Sequence, residues 1–245
     1  MTYDVSVLMF TYRPKNSIRE KFVIDAVQSL RAQEGIDIQA VILDDGSAKP
    51  IPEKYLQNTI NVDIEYIKFD ENRGKHKMMD IGLPLMEAEL MTTLHDDDYY
   101  HTSECLKKRY GFFLEEDNTA MIFTNAIYDD RIKKKSFQLY PDNKKIKHSH
   151  EALLGHCYIC GASYLIRTDL KQRFKPHPSL VHGEEYDIWC QVSKYARDNG
   201  LKIRYSPEVT VVYRFHREQT WHAVRRLSAK QRGEQYLDFI RDRSR

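Results

Sequence analysis

The sequence predicts an α/β fold in which a mixed, mostly parallel sheet is flanked by helices on both faces. Three observations carry that expectation. Near-continuous apolar runs of strand length, at Val5–Phe10, Ile38–Leu43 and from Leu90, each stop at a polar cluster. Such runs mark strands buried on both faces, the usual condition of a parallel sheet. Helical periodicity fills the chain between them, so strand, helix and strand alternate. Finally, carboxylates follow directly after two of these runs, at the sheet edge where open α/β sheets take ligands.

Composition narrows the class. The chain has 245 residues, 41% of them hydrophobic and 30% charged, enough for one domain with a small extension. No apolar run approaches the roughly 20 residues of a membrane span, and MTYDVSVLMF leads straight into a strand without a signal-peptide pattern. A cytoplasmic location, with peripheral membrane contact as a further option, is therefore expected. The net charge of +2 gives no ground for a nucleic-acid partner. Cys105, Cys157, Cys160 and Cys190 suit a reducing compartment. Cys157 and Cys160, with His148, His150 and His156 upstream, have the spacing of half a zinc site or a redox pair. No second such pair exists, so free thiols packed in or near the core are expected.

The first strand ends in Thr11-Tyr12-Arg13-Pro14, and lacks the GxGxxG of a dinucleotide site. Ile18, Phe22, Val23, Ala26, Val27 and Leu30 recur at helical spacing between Ser17, a plausible cap, and Gly35, a stop. The second strand, Ile38–Leu43, runs into Asp44-Asp45-Gly46-Ser47, and the crossover between the two should be right-handed. An acid there can hydrogen-bond a nucleoside, while the same four residues also read as a turn. Val62, Ile64 and Tyr66 alternate in a third strand. The segment Glu71 to Lys77, ENRGKHK, then opens a helix to about Met86, where a helix start and adjacent lysines attract phosphate.

The run LMTTLHDDDYY, from Leu90 to Tyr100, follows. Strand alternation would turn Asp96 and Asp98 to one side and Asp97 away. An oxygen-only pair suits Mg²⁺ or Mn²⁺, and a solvated acidic loop is the plainer alternative. Tyr12, Asp45 and the Asp96/Asp98 pair are thus expected at one edge of the sheet.

Downstream, Thr102–Glu116 reads as a helix with Leu106, Tyr110, Phe113 and Leu114 inward. Strands are expected at Ala120–Tyr128, Phe137–Tyr140, Leu165–Arg167, Leu201–Tyr205 and Val209–Tyr213, with the charged RIKKKS segment as solvated surface. A helix near Asp169 follows the third of these. Glu184, Glu185 and Asp187 open a helix to Asn199, where acids complement the helix dipole. A basic amphipathic helix starts at Thr220. The domain is expected at 1–217 and a basic helical extension at 218–245.

Together these residues resemble glycosyltransferase family 2 on the GT-A fold, a Rossmann-like sheet, over about residues 4 to 217. The likeness rests on VSVLMFTYRP, AVILDDGS, ENRGKHKMMDIGL, Asp96-Asp97-Asp98 with Leu106, Gly183-Glu184-Glu185-Tyr186-Asp187-Ile188-Trp189 and Tyr213-Arg214-Phe215-His216. It implies transfer of a sugar, with inversion, from a nucleotide diphosphate donor, expected to be a UDP-sugar. The acceptor is a hydroxyl on a glycan, a lipid-linked molecule or another compound. Asp98 is the implied ligand of Mn²⁺ or Mg²⁺, with Asp96 assisting through the ribose or a water, and His216 can add a metal or diphosphate contact. Tyr12, beside Thr11, would stack on the base, Asp45 would hydrogen-bond it, and Arg73 or Lys75 would face phosphate. Glu185 is the implied general base, with Glu184 or Asp187 as substitutes, because the family usually has aspartate where Glu185 stands. Tyr99 occupies a position where the family often has another acid. Competing classes are a nucleotidyltransferase or metal-dependent phosphohydrolase, which also use strand-end carboxylates, and a non-catalytic nucleotide-sugar binding module. The basic extension can pack on the domain, touch an anionic membrane or form a homo-oligomer contact.

Overall fold

The computed structural model describes residues 2–140, 148–178, 180 and 183–219. Within them the apolar runs become strands. β1 (Val5–Thr11) lies between β2 (Ile38–Asp44) and β4 (Leu90–His95), parallel to both, and β3 (Val62–Lys68) adds parallel to β2. The chain moves outward from β1 to β3 and then returns to the other side of β1. That reversal leaves a crevice at the carboxyl ends of β1 and β4.

Helices cover both faces. On one, α1 (Arg19–Arg31) buries Val23, Ala26, Val27 and Leu30, and α3 (Cys105–Leu114) adds Leu106 and Phe113. On the other, α2 (Lys75–Gly82) contributes Met78 and Met79, and α6 (Glu184–Asp198) contributes Ile188, Trp189 and Val192. Odd and even residues of β1 divide between these two cores, Val7 and Met9 in the first and Leu8 in the second, as strand alternation requires.

The second half of the sheet is mixed. β5 (Tyr99–Tyr100), β6 (Thr119–Asp130), β7 (Lys135–Gln138), β8 (Tyr164–Arg167) and β9 (Lys202–Phe215) complete the order β3-β2-β1-β4-β8-β6-β9-β5, with β7 on β6. β8 runs antiparallel to β4 and β6, and β9 parallel to β6. The short helices α4 (His150–Gly155) and α5 (Thr168–Arg173) flank β8 in sequence.

Several boundaries differ from the sequence expectation. The two strands expected at Leu201–Tyr205 and Val209–Tyr213 are one, β9. Its register slips where Thr124 pairs with Ser206 but Asn125 pairs with Val209, so Pro207 bulges out of the ladder and its missing N–H does no harm. Leu114 is not inward but 58% exposed, because α3 ends there. α2 stops at Gly82 and passes into a 3₁₀ turn at Leu83–Leu85, as Pro84 cannot donate the next helical bond. β7 begins two residues before Phe137. Ser17 accepts from the Arg19 amide (3.1 Å) without capping α1 deeper, while Glu218 accepts from Ser17 Oγ (2.5 Å) and the Ile18 amide (3.2 Å). All four cysteines are free thiols, Cys105, Cys160 and Cys190 buried and Cys157 exposed. Among the described residues no helix is long and apolar enough to cross a membrane. The helix expected from Thr220 lies outside the described residues.

Candidate active site

The ends of β1 and β2 form one wall. Arg13, fully buried, donates Nη1 to Thr11 Oγ1 (2.6 Å) and Nη2 to Asp44 Oδ2 (3.2 Å) and the Lys49 carbonyl (2.7 Å). Tyr66 Oη donates to the same Asp44 oxygen at 2.6 Å. Asp44 is thus the structural acid of the pair. Asp45 faces the next loop and accepts from the Arg73 amide (2.7 Å) and the Gly74 amide (2.9 Å). Gly46 lets that loop approach: its φ is +81°, and a Cβ there would stand 2.5 Å from the Glu71 carbonyl carbon. The Arg73 guanidinium lies over the Phe69 ring at 4.6 Å, and Lys75 Nζ is 3.7 Å from Glu184 Oε2. Tyr12, just past the end of β1, is 39% exposed.

The carboxylate triplet is a turn, not a continuation of β4. The Asp98 amide donates to the His95 carbonyl at 3.1 Å, which closes residues 95–98 into a reverse turn. Strand alternation therefore does not apply, and the expected grouping of Asp96 with Asp98 against Asp97 fails. Asp96 turns toward α1, accepting from Thr11 Oγ1 (2.6 Å) and from Arg19 Nη2. Asp97 and Asp98 share a side with His95, and the three offer ligand atoms within 4.8 Å of one another, a group able to hold a metal ion. His216 is not in that group. Its Nδ1 accepts from the Glu218 amide (3.3 Å), which leaves Nε2 to donate to Asp97 Oδ2 (3.0 Å).

The donor set fits a hard divalent cation with one nitrogen ligand. Asp98 accepts from the Arg214 amide through Oδ1 (2.9 Å), while its buried Oδ2 makes no hydrogen bond among the described residues, the His95 Nδ1 ion-pair partner standing 3.4 Å away. Burial, then the charge of Asp97, pushes Asp98 up to about 6, an acidity that a bound cation would restore. Against the cost of burial, the His216 hydrogen bond and the Arg19 charge hold Asp97 below its ordinary value.

The opposite wall comes from β8, α5 and α6. Glu185, in the first turn of α6, is buried and accepts through Oε1 from Thr93 (2.5 Å) and Tyr164 Oη (3.3 Å), and through Oε2 from His95 Nε2 (3.0 Å). Lys171 Nζ lies 3.9 Å from Oε1. Burial opposes the charge, but Lys75, His95 and Lys171 outweigh it and hold Glu185 well below the usual carboxylate range. His95 Nδ1 is 3.4 Å from Asp98 Oδ2, so one imidazolium spans Glu185 and the carboxylate turn. Burial lowers its affinity for the proton, and the Glu185 charge with the two carboxylate contacts raises it to about 10. Gly161 closes over this bridge, for a Cβ there would lie 2.4 Å from His95 Cε1. Asp187 accepts from the His177 amide (2.8 Å), on the far side of the helix start.

Of the residues singled out from sequence, Thr11, Asp96, Asp97, Asp98, His216 and Glu185 converge on this crevice. Asp45, Arg73 and Lys75 line the adjoining loop. Sequence reasoning missed His95, Arg19, Thr93, Tyr164 and Lys171. His95 was adjacent to a marked motif, whereas nothing in TDLKQR sets Lys171 apart.

Comparison with known proteins agrees with this architecture. The profile of the family described as Glycosyl transferase family 2 matches residues 6–174. An uncharacterised glycosyltransferase of Rickettsia conorii is 22% identical over 230 residues, covering 88% of this chain and 34% of that protein. S. aureus TarS (residues 1–349), solved in complex with UDP-GlcNAc, superposes with a TM-score of 0.67 at 18% identity, over 91% of this chain and 61% of that one. Mannosyltransferase PcManGT from Pyrobaculum calidifontis, solved with GDP-Man and Mn²⁺, gives 0.65 at 14% identity, over 92% and 60%. The chain thus spans about a third of the curated relative and three fifths of the solved ones.

A sheet that reverses order at β1, helices on both faces and the likeness to these glycosyltransferase structures together define the GT-A fold. The chain belongs to glycosyl transferase family 2.

Proposed function

We propose that this protein transfers a sugar from a nucleoside diphosphate donor, a UDP-sugar, to an acceptor hydroxyl with inversion and with the help of a divalent metal. The observation that carries the reading is the His95 bridge, which sets the buried Glu185 carboxylate beside the Asp97–Asp98 turn. One wall is thereby suited to the departing diphosphate and the other to proton removal. The similar structures with UDP-GlcNAc and with GDP-Man and Mn²⁺ support a nucleotide-sugar donor.

Asp97 and Asp98 are the residues that would hold Mn²⁺ or Mg²⁺, and His95 Nδ1 would join them on giving up its proton, with Nε2 still donating to Glu185. Such an ion supplies, when bound, Lewis-acid stabilisation of the negative charge on the leaving diphosphate. Tyr12 stacks on the base, Asp45 orders the loop that receives the nucleoside, and Arg73 and Lys75 face the phosphates. Arg19 holds Asp96 oriented toward α1. Glu185 takes the acceptor's proton as the acceptor oxygen bonds to the anomeric carbon and the bond from that carbon to the diphosphate oxygen breaks. Because Glu185 is kept ionised, it is ready to accept; the proton passes late, once the attacking oxygen has become acidic through C–O bond formation. Attack opposite the leaving group inverts the anomeric centre.

The reading is tested by incubating the protein with UDP-GlcNAc, other UDP-sugars and GDP-Man, with Mn²⁺ or with EDTA, against a panel of glycan and lipid-linked acceptors. Metal-dependent UDP release with an inverted glycosidic product is expected. Pyrophosphate or sugar phosphate as the product would instead assign a nucleotidyltransferase or phosphohydrolase.

A further inference from the structure

Lys171 is a lysine sealed inside the protein that meets neither donor nor acceptor in the mechanism above. Its side chain is fully buried, and among the described residues Nζ has no hydrogen-bond partner. It stands over the Tyr164 ring at 5.1 Å and its nearest carboxylate oxygen is Glu185 Oε1, at 3.9 Å. A buried ammonium without hydrogen bonds is costly, and a packed apolar residue of the same size would be cheaper. Its presence is explained if its charge is needed by what lies in front of it.

What lies in front is one oxygen of one carboxylate. Glu185 Oε1 is drawn into a recess floored by Lys171 and sided by the hydroxyls of Thr93 and Tyr164, while Oε2 accepts from His95 Nε2 beside Gly161. Three donors or charges on Oε1 and one on Oε2 fix the plane of the carboxylate and leave Oε2 as its working edge. Aspartate, one methylene shorter, would reach less far into that recess, so glutamate at this position and lysine at 171 are matched. Burial pushes the Lys171 ammonium down and Lys75 adds to that shift, the Glu185 charge opposes it, and the balance lies at about 8.

We propose that Lys171 is a positioning residue: it anchors Oε1 of Glu185 in the Thr93–Tyr164 recess so that Oε2 meets the acceptor hydroxyl. The proposal rests on Glu185 acting as the base. Misplacement of a reacting group by about 1 Å can cost on the order of a hundredfold in rate.

The test is Lys171→Met, which keeps the apolar stem and removes the charge, in the full chain with the donor and acceptor that support turnover. About a hundredfold lower kcat is expected, with the donor KM within twofold. In a Glu185→Gln background the same change should cause no further loss. A kcat within twofold of wild type overturns the proposal, and so does an equal fractional loss in the Glu185→Gln background, since Lys171 would then act elsewhere. A crystal structure of Lys171→Met gives a readout independent of turnover: Glu185 Oε1 leaving Thr93 supports the anchor, and an unmoved carboxylate contradicts it. Should Lys171→Met not fold, Lys171→Gln is judged by the same criteria. Full turnover by Glu185→Gln removes the base reading and the proposal together. Loss in Glu185→Gln with normal kcat in Lys171→Met removes the proposal alone.

Discussion

The two walls of the crevice are built in different ways. The wall at β1 and β2 uses residues close in sequence to strand ends, and its carboxylates are tied to backbone amides and to the sealed Arg13: Asp45 to the amides of residues 73 and 74, Asp44 to Arg13 and Tyr66. The wall around Glu185 has no local framework. Its parts come from positions 93, 95, 164, 171 and 185, brought together only when β4, β8, α5 and α6 pack. A wall made of backbone hydrogen bonds is a rigid receptor for a ligand of fixed shape. A wall made of side-chain contacts is a tuned environment for one carboxylate, and so tolerates less change in any member.

Variants can break that comparison. Glu185→Gln should have the largest effect, a loss of about 10² to 10⁴-fold in kcat, the usual contribution of a general base, read by steady-state UDP release. Arg13→Met strips Asp44 of its buried cation on the other wall, and there the effect should be on folding. A loss of about 3–5 kcal/mol is expected, on the order of 10 °C in Tm by scanning calorimetry for a chain of this size. An unchanged Tm would show that Tyr66 and the Ser47 amide, which donates to Asp44 Oδ1 at 2.8 Å, suffice for Asp44. Glu185→Asp, conservative in charge but short of the recess, should reduce kcat by roughly tens of fold while leaving the donor KM in place; wild-type kcat would argue against a length-matched pocket. Leu114→Ser, at the exposed end of α3, should shift stability by no more than about 0.5 kcal/mol in urea denaturation.

The same contrast explains what the sequence made legible. Val5–Phe10, Ile38–Leu43 and Leu90–Leu94 announce their strands because a segment buried on both faces must be apolar throughout. The acids that follow them are marked by where the apolar run ends. Glu185 was marked by its motif. His95 was hidden because an alternating strand reading stops at the acids and ignores the residue before them. The side-by-side placement of Asp97 and Asp98 was hidden because the turn at His95 depends on one backbone hydrogen bond that periodicity does not encode. Lys171 was hidden for a different reason, since a helical lysine reads as solvated unless the packing of α5 against α6 is known. The single strand β9 reads as two in the sequence because residues 206–208 break its apolar pattern, and the bulge that carries them is set by pairing with β6.

The separation of the metal-holding turn from the wall around Glu185 is tested most directly by calorimetric titration of UDP in the presence of Mn²⁺ into Asp98→Asn and Glu185→Gln side by side. The account predicts that Asp98→Asn loses the Mn²⁺-dependent part of UDP binding while Glu185→Gln binds as the wild type does. Equal loss in both variants, or undiminished metal-dependent binding in Asp98→Asn, would contradict it.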